Sequence, residues 1–152
     1  MTMTDAPSLL DVADQLAIRD LLADFADAVN RMSPDDLRNV FAPDGEWIVT
    51  GWGEHRGHDD IVDFLAGLLQ RWEMIFHAVH SGRVNLEGDR ATGRWYISEF
   101  GRLEDGTEVR FAGVYHDEYV RVASGWRFAR RRYDGMFARI GDQVTTTPFP
   151  SL

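Results

Sequence analysis

Cysteine is absent from the 152-residue chain, which excludes disulfides and thiolate metal sites. Also missing is any apolar run near the ~18–20 residues that a membrane span requires. The opening "MTMTDAPSLLDVAD" has no basic segment leading into an apolar one, so a secretory signal is not expected. Basic residues are outweighed by acidic ones, giving a formal charge of −9. A nucleic-acid partner would need a basic face, and the arginines of "RFARRRY" alternate across both faces of a strand without forming one. No helical His-x-x-x-His pair, phosphate loop, dinucleotide fingerprint or serine elbow occurs. The expectations are therefore a cytoplasmic protein with no metal, no cofactor, no nucleic acid and no membrane partner. Anionic or uncharged small molecules remain open as ligands.

What is present is an ordinary globular balance, 44% apolar and 27% charged, with length for one domain and an internal cavity. Ile18, Leu21, Leu22, Phe25, Ala26 and Val29 recur at helical spacing, and Ser8 with Asp11 resembles a capping box. Ser33-Pro34 followed by two aspartates predicts a short second helix over 34–41, ended by "APDG". "EWIVTGWG" reads as a strand. Ile61, Phe64, Leu65, Leu68, Leu69 and Trp72 mark a third helix. Four segments then follow, 82–88, 91–102, 108–122 and 125–134, rich in Val, Ile, Tyr, Phe and Trp and separated by turn residues. The tail 136–152, with its prolines, is expected to be irregular.

Helices gathered ahead of an antiparallel meander indicate an α+β fold. The expected architecture is three N-terminal helices on a strongly curved, mainly antiparallel sheet that closes a cone-shaped cavity.

Element order and the stretches "LADFADAVNRMSPDDLRNVFAPDGEW", "FHAVHSGRVNLEGDRATG" and "AGVYHDEYVRVASGWRFARRRYD" resemble the SnoaL-like branch of the nuclear transport factor 2-like superfamily, over about residues 9–135 of a single domain. The resemblance implies a small, largely apolar substrate and a cofactor-free elimination, hydration or isomerisation by acids and bases, the work of a lyase or an isomerase. It also implies association of copies as a dimer or trimer, and Trp95 and Trp126, if outward-facing, are candidates for the contact surface. A non-catalytic ligand-binding or oligomerisation module of the same fold is the alternative; a subunit of a larger complex is a third.

In the eliminating members of the branch a histidine stands where "FHAVHSG" begins, and His77 matches it. His80 reads as a solvated residue at the strand entry. The usual helix aspartate, and a tyrosine five residues before it, are here Asn30 and Phe25. Asn30 can orient His77 without adding charge, or simply end the helix. Glu99 either replaces the missing carboxylate inside the cavity or pairs with Arg94 or Arg110 outside it; Asp27 is a further candidate or a surface residue. The candidate catalytic residues are thus His77, Asn30 and Glu99. The candidate substrate-binding residues are Phe25, Trp47, Val49, Ile97, Tyr115, Arg131 and Tyr133, with Arg131 as a bidentate partner for a carboxylate or phenolate. Phe25 also reads as plain core, and both tyrosines as ordinary sheet packing.

Overall fold

The computed structural model describes residues 7–150. The chain opens with α1 (Leu9–Asn30), capped by Ser8 and Asp11, each side chain bonded to the other's backbone N–H at 3.1 and 2.9 Å. Its apolar stripe of Ile18, Leu21, Leu22, Phe25 and Val29 is buried. A 3-10 turn (Pro34–Asn39) replaces the second α-helix expected there, and Ser33 makes no capping bond. The "APDG" stretch does not end a helix but lies within β1 (Phe41–Val49), whose register slips between Phe41 and Glu46. After β2 (Gly53–Arg56) comes α2 (Gly57–Leu69), which buries Ile61, Val62, Leu65 and Leu69.

Four long strands follow: β3 (Trp72–Glu87), β4 (Arg90–Leu103), β5 (Glu108–Val122) and β6 (Gly125–Ile140). Trp72, expected in the third helix, opens β3. The tail is not wholly irregular: β6 runs on to Ile140, Gly141 turns the chain at φ 57°, and β7 (Gln143–Thr146) pairs back on it. The sheet order is β2-β1-β6-β5-β4-β3, with β7 also on β6. The β1–β6 pairing is parallel and every other pairing antiparallel. The architecture is α+β with a mixed sheet.

α1 packs on β3 and β6, and α2 on β1. The core between helices and sheet includes Phe25, Phe41, Trp47, Trp95, Tyr119 and Phe128. Trp95 and Trp126 are 2% and 3% exposed and do not face outward. Odd-numbered positions of β4 face the helices, so Trp95 turns inward and donates to Tyr119 Oη at 2.9 Å. Trp126 donates to Asp14 Oδ1 at 3.0 Å. The exposed aromatics of the opposite sheet face are instead Phe76, Tyr96 and Phe100. No helix among the described residues is long and apolar enough to cross a membrane.

Candidate functional site: an imidazole–carboxylate pair in an apolar cavity

Strand register assembles the site in rows across the inner sheet face. His77 stands opposite Glu99, and Glu99 opposite Phe111. Trp95, Tyr115, Tyr133 and Val49 form a second row across β4, β5, β6 and β1. Asp117, Arg131 and Trp47 form the third. Because side chains alternate along each strand, all of these point toward α1 and α2.

The first row and, from the second, Tyr115, Tyr133 and Val49 border a cavity of about 630 Å³, within the size range of small-molecule sites. Of the residues singled out from the sequence, Phe25, Trp47, Val49, His77, Ile97, Glu99, Tyr115 and Tyr133 line it. The structure adds Leu68, Leu69 and Trp72 from the α2–β3 corner, Phe111 from β5, and Thr145, Thr147, Pro148 and Pro150 from the tail. The tail contribution had a sequence signal: alternation continues through "YDGMFARI", and Gly141-Asp142 then precedes the β-branched "VTTT".

His77 is 3% exposed. Its Nδ1 lies 2.8 Å from Glu99 Oε2, while its Nε2 is buried without a hydrogen-bond partner. In the neutral ring a carboxylate acceptor places the proton on Nδ1 and leaves Nε2 with a lone pair. Asn30 touches the backbone rather than the ring. Its Nδ2 donates to His77 O at 3.0 Å, and His77 N donates to its Oδ1 at 2.6 Å. β3 is an edge strand, so outward-pointing backbone groups need such a partner. A pair whose backbone groups point away from the neighbouring strand brings its side chains closest, which suits the His77–Glu99 contact.

Arg131 does not line the cavity, contrary to the expectation of a substrate-binding guanidinium. It is fully buried one row deeper, held by Asp117 at 3.0 and 3.1 Å. The rings of Tyr115 and Phe25 cover it, 3.6 and 4.3 Å from its guanidinium carbon. Burial pushes the Asp117 carboxyl up, against the pull of Arg131 and the Tyr119 hydroxyl. Asp27 pairs with Arg31 on the surface, and His80 with Ser98. Among the described residues, no three His, Asp or Glu side chains converge as metal ligands.

Fold and site together define a helix-covered apolar cavity carrying one oriented imidazole. The chain belongs to the SnoaL-like domain family, whose model matches residues 11–132, and it shares its fold with a nuclear transport factor 2-like superfamily protein of Salmonella enterica, TM-score 0.76 at 15% identity over 82% of this chain and 92% of that one. It is similar to an uncharacterised protein of Mycobacterium tuberculosis, 31% identical over 127 residues, covering 82% of this chain and 86% of that protein. It is also similar to the gamma-hexachlorocyclohexane dehydrochlorinase of Sphingobium indicum, 30% identical over 125 residues and 79% of each chain. A crystal structure of a type 2 hexachlorocyclohexane dehydrochlorinase superposes with a TM-score of 0.80 at 23% identity, over 85% of this chain and 89% of that one.

Proposed function

We propose that the protein is an acid–base enzyme acting on a small, largely apolar molecule by elimination, hydration or isomerisation. The observation that carries this is the contact of buried His77 with half-buried Glu99, 2.8 Å apart, with Nε2 unpaired. Nε2 takes a proton from a substrate carbon, and Glu99 stabilises the imidazolium that forms. The base therefore keeps a carboxylate, supplied by the neighbouring strand rather than by α1. The step itself needs only a positioned base. The dehydrochlorinase relatives support an elimination on an alicyclic ring. α1 touches both β3 and β6, which β4 and β5 separate; this supports a sheet that curls over the helix into a cone.

The test is a turnover assay on a panel of hydroxy-ketones and halogenated alicyclic rings. His77→Ala should abolish turnover with the fold intact by circular dichroism. Glu99→Gln, which keeps an acceptor and removes the charge, should lower kcat by about 10²–10⁴-fold. Turnover unchanged by His77→Ala sinks the proposal. Tight binding across the panel with no turnover by the native chain would instead make it a ligand-binding module.

We also propose that copies of the chain associate through the outer sheet face. Phe76 and Phe100 stack there with ring centroids 5.1 Å apart and are 46% and 44% exposed. Around them Glu73, Arg102, Glu108 and Arg110 carry both signs of charge, which suits a patch meeting itself across a two-fold axis.

A further inference from the structure

Strand register also builds a row on the outer face of the sheet. Arg83 of β3 stands opposite Arg94 of β4, Arg94 opposite His116 of β5, and His116 opposite Arg132 of β6. Trp95, Tyr115 and Tyr133, one position along, form an inner row, so alternation turns these four side chains away from the cavity. Three arginines and an imidazole thus stand side by side on a chain whose formal charge is −9.

Like charges directly opposite on neighbouring strands are destabilising, and the surroundings do not compensate them here. The nearest carboxylates on that face, two positions along β6 and β5, are Asp134 and Glu118, and both are engaged. Asp134 accepts from Arg132 Nε at 2.8 Å and from Thr50 Oγ1 at 2.7 Å, and Glu118 lies 3.6 Å from Arg130. Among the described residues, Arg83 and Arg94 enter no ion pair. His116 is half-buried between Arg94 and Arg132, and its Nε2 is buried without a hydrogen-bond partner, 3.8 Å from Asp134 Oδ2. Phe149 closes one side, its ring centroid 5.7 Å from the Arg94 guanidinium carbon and 6.3 Å from the His116 ring. Guanidinium forks pair with oxygen acceptors two at a time.

We propose that Arg83, Arg94 and His116 bind a divalent oxyanion, a phosphate either free or at the end of a phosphomonoester. Its two charges match the two unpaired guanidinium groups, while Arg132 offsets Asp134. The site lies about 20 Å along β4 from Phe100, apart from the patch of Phe76 and Phe100. The groups facing His116 are Arg94 from β4, Arg132 and Asp134 from β6, and Phe149 from the tail. Burial, then the charge of Arg132, holds the imidazole below its ordinary range; Asp134 opposes this and Arg94 adds to it. A bound dianion counters the field of the arginines and raises the imidazole. The complex therefore takes up a proton and forms more tightly as the pH falls.

The test is calorimetry on the full chain at constant ionic strength, with inorganic phosphate, phenyl phosphate, sulfate and, as a monovalent control, methanesulfonate. Phosphate should bind about tenfold more tightly than methanesulfonate, and Arg94→Gln or Arg83→Gln should each weaken phosphate about tenfold. Arg38→Gln removes one charge from the 3-10 turn, where Arg38 pairs with Asp59 at 2.8 Å, and should leave phosphate affinity unchanged. Sulfate stays divalent across neutral pH, so its affinity reports the imidazole. It should rise severalfold from about pH 8 to about pH 6 in the native chain and stay flat in His116→Gln. Phenyl phosphate bound more tightly than inorganic phosphate assigns a monoester whose ring lies along Phe149; equal affinity assigns the free ion. The proposal is overturned by no binding of phosphate or sulfate, by methanesulfonate bound as tightly, or by a sulfate affinity indifferent to pH. It is equally overturned by a loss no larger in Arg94→Gln and Arg83→Gln than in Arg38→Gln.

Discussion

Asn30 shows how one amide does what a carboxylate could not. It both donates to and accepts from the backbone of residue 77, and only an amide side chain offers both at one place. An aspartate would keep the acceptor for His77 N–H but set a negative oxygen against His77 O. Asn30→Asp should therefore destabilise the fold by about 1–3 kcal/mol in urea unfolding and should not raise turnover. Equal stability with higher activity would mean that the clamp is not its role. The sequence singles out His77 through the resemblance to eliminating enzymes and leaves Glu99 open between the cavity and an outer ion pair. It does not reveal that Asn30 addresses the backbone, because that depends on β3 being an edge strand. Nor does it pair Arg131 with Asp117, fourteen positions apart on the turn-linked β5 and β6, since the bulge between Glu118 and Tyr119 resets the register.

Two elements carry testable consequences. The β6–β7 hairpin and the segment after it form one wall of the cavity, yet every residue of β7 is exposed. Phe149 fastens this segment to the sheet, beside Tyr96 and under Arg94. Ending the chain after Ile140 should shift the melting midpoint by no more than about 5 °C while weakening an apolar cavity probe severalfold in fluorescence titration. Unchanged probe affinity would show that the wall is not needed. At the other end of the chain, Asp14 ties α1 to the sheet through Arg121 at 2.8 and 2.6 Å and Trp126 at 3.0 Å. The Arg121 hydrogen bonds, then that of Trp126, hold its carboxyl below the ordinary 3.8. A lowered folded value means stability that is fully present above 3.8 and is lost as the pH falls through the folded value. Asp14→Asn should cost about 0.5–1 kcal/mol at neutral pH, and the gap to the native chain should close in strong acid. A gap that persists there would point to packing rather than charge.

For the whole molecule, the proposed pairing of copies through the outer sheet face can be tested by substitution. Replacing both Phe76 and Phe100 with Glu would put like charges against one another in a face meeting its own copy. The variant should elute from gel filtration at the monomer position, with the native chain eluting larger. Identical elution of the two would rule out this face as the contact. The fold hosts many chemistries, so its shape alone does not select a reaction; under the proposed function the selection comes from the imidazole and the carboxylate beside it.

Local periodicity and turn chemistry determined α1, α2 and the long meander, because those depend on neighbours a few positions away. The family resemblance singled out residue 77. Only the tertiary structure decided that Glu99 meets the imidazole, that Arg131 is locked beneath Phe25, that Trp95 and Trp126 face inward, and that the tail completes the cavity wall. Each of these depends on register and on which element covers which row, and both are properties of chain segments far apart in sequence.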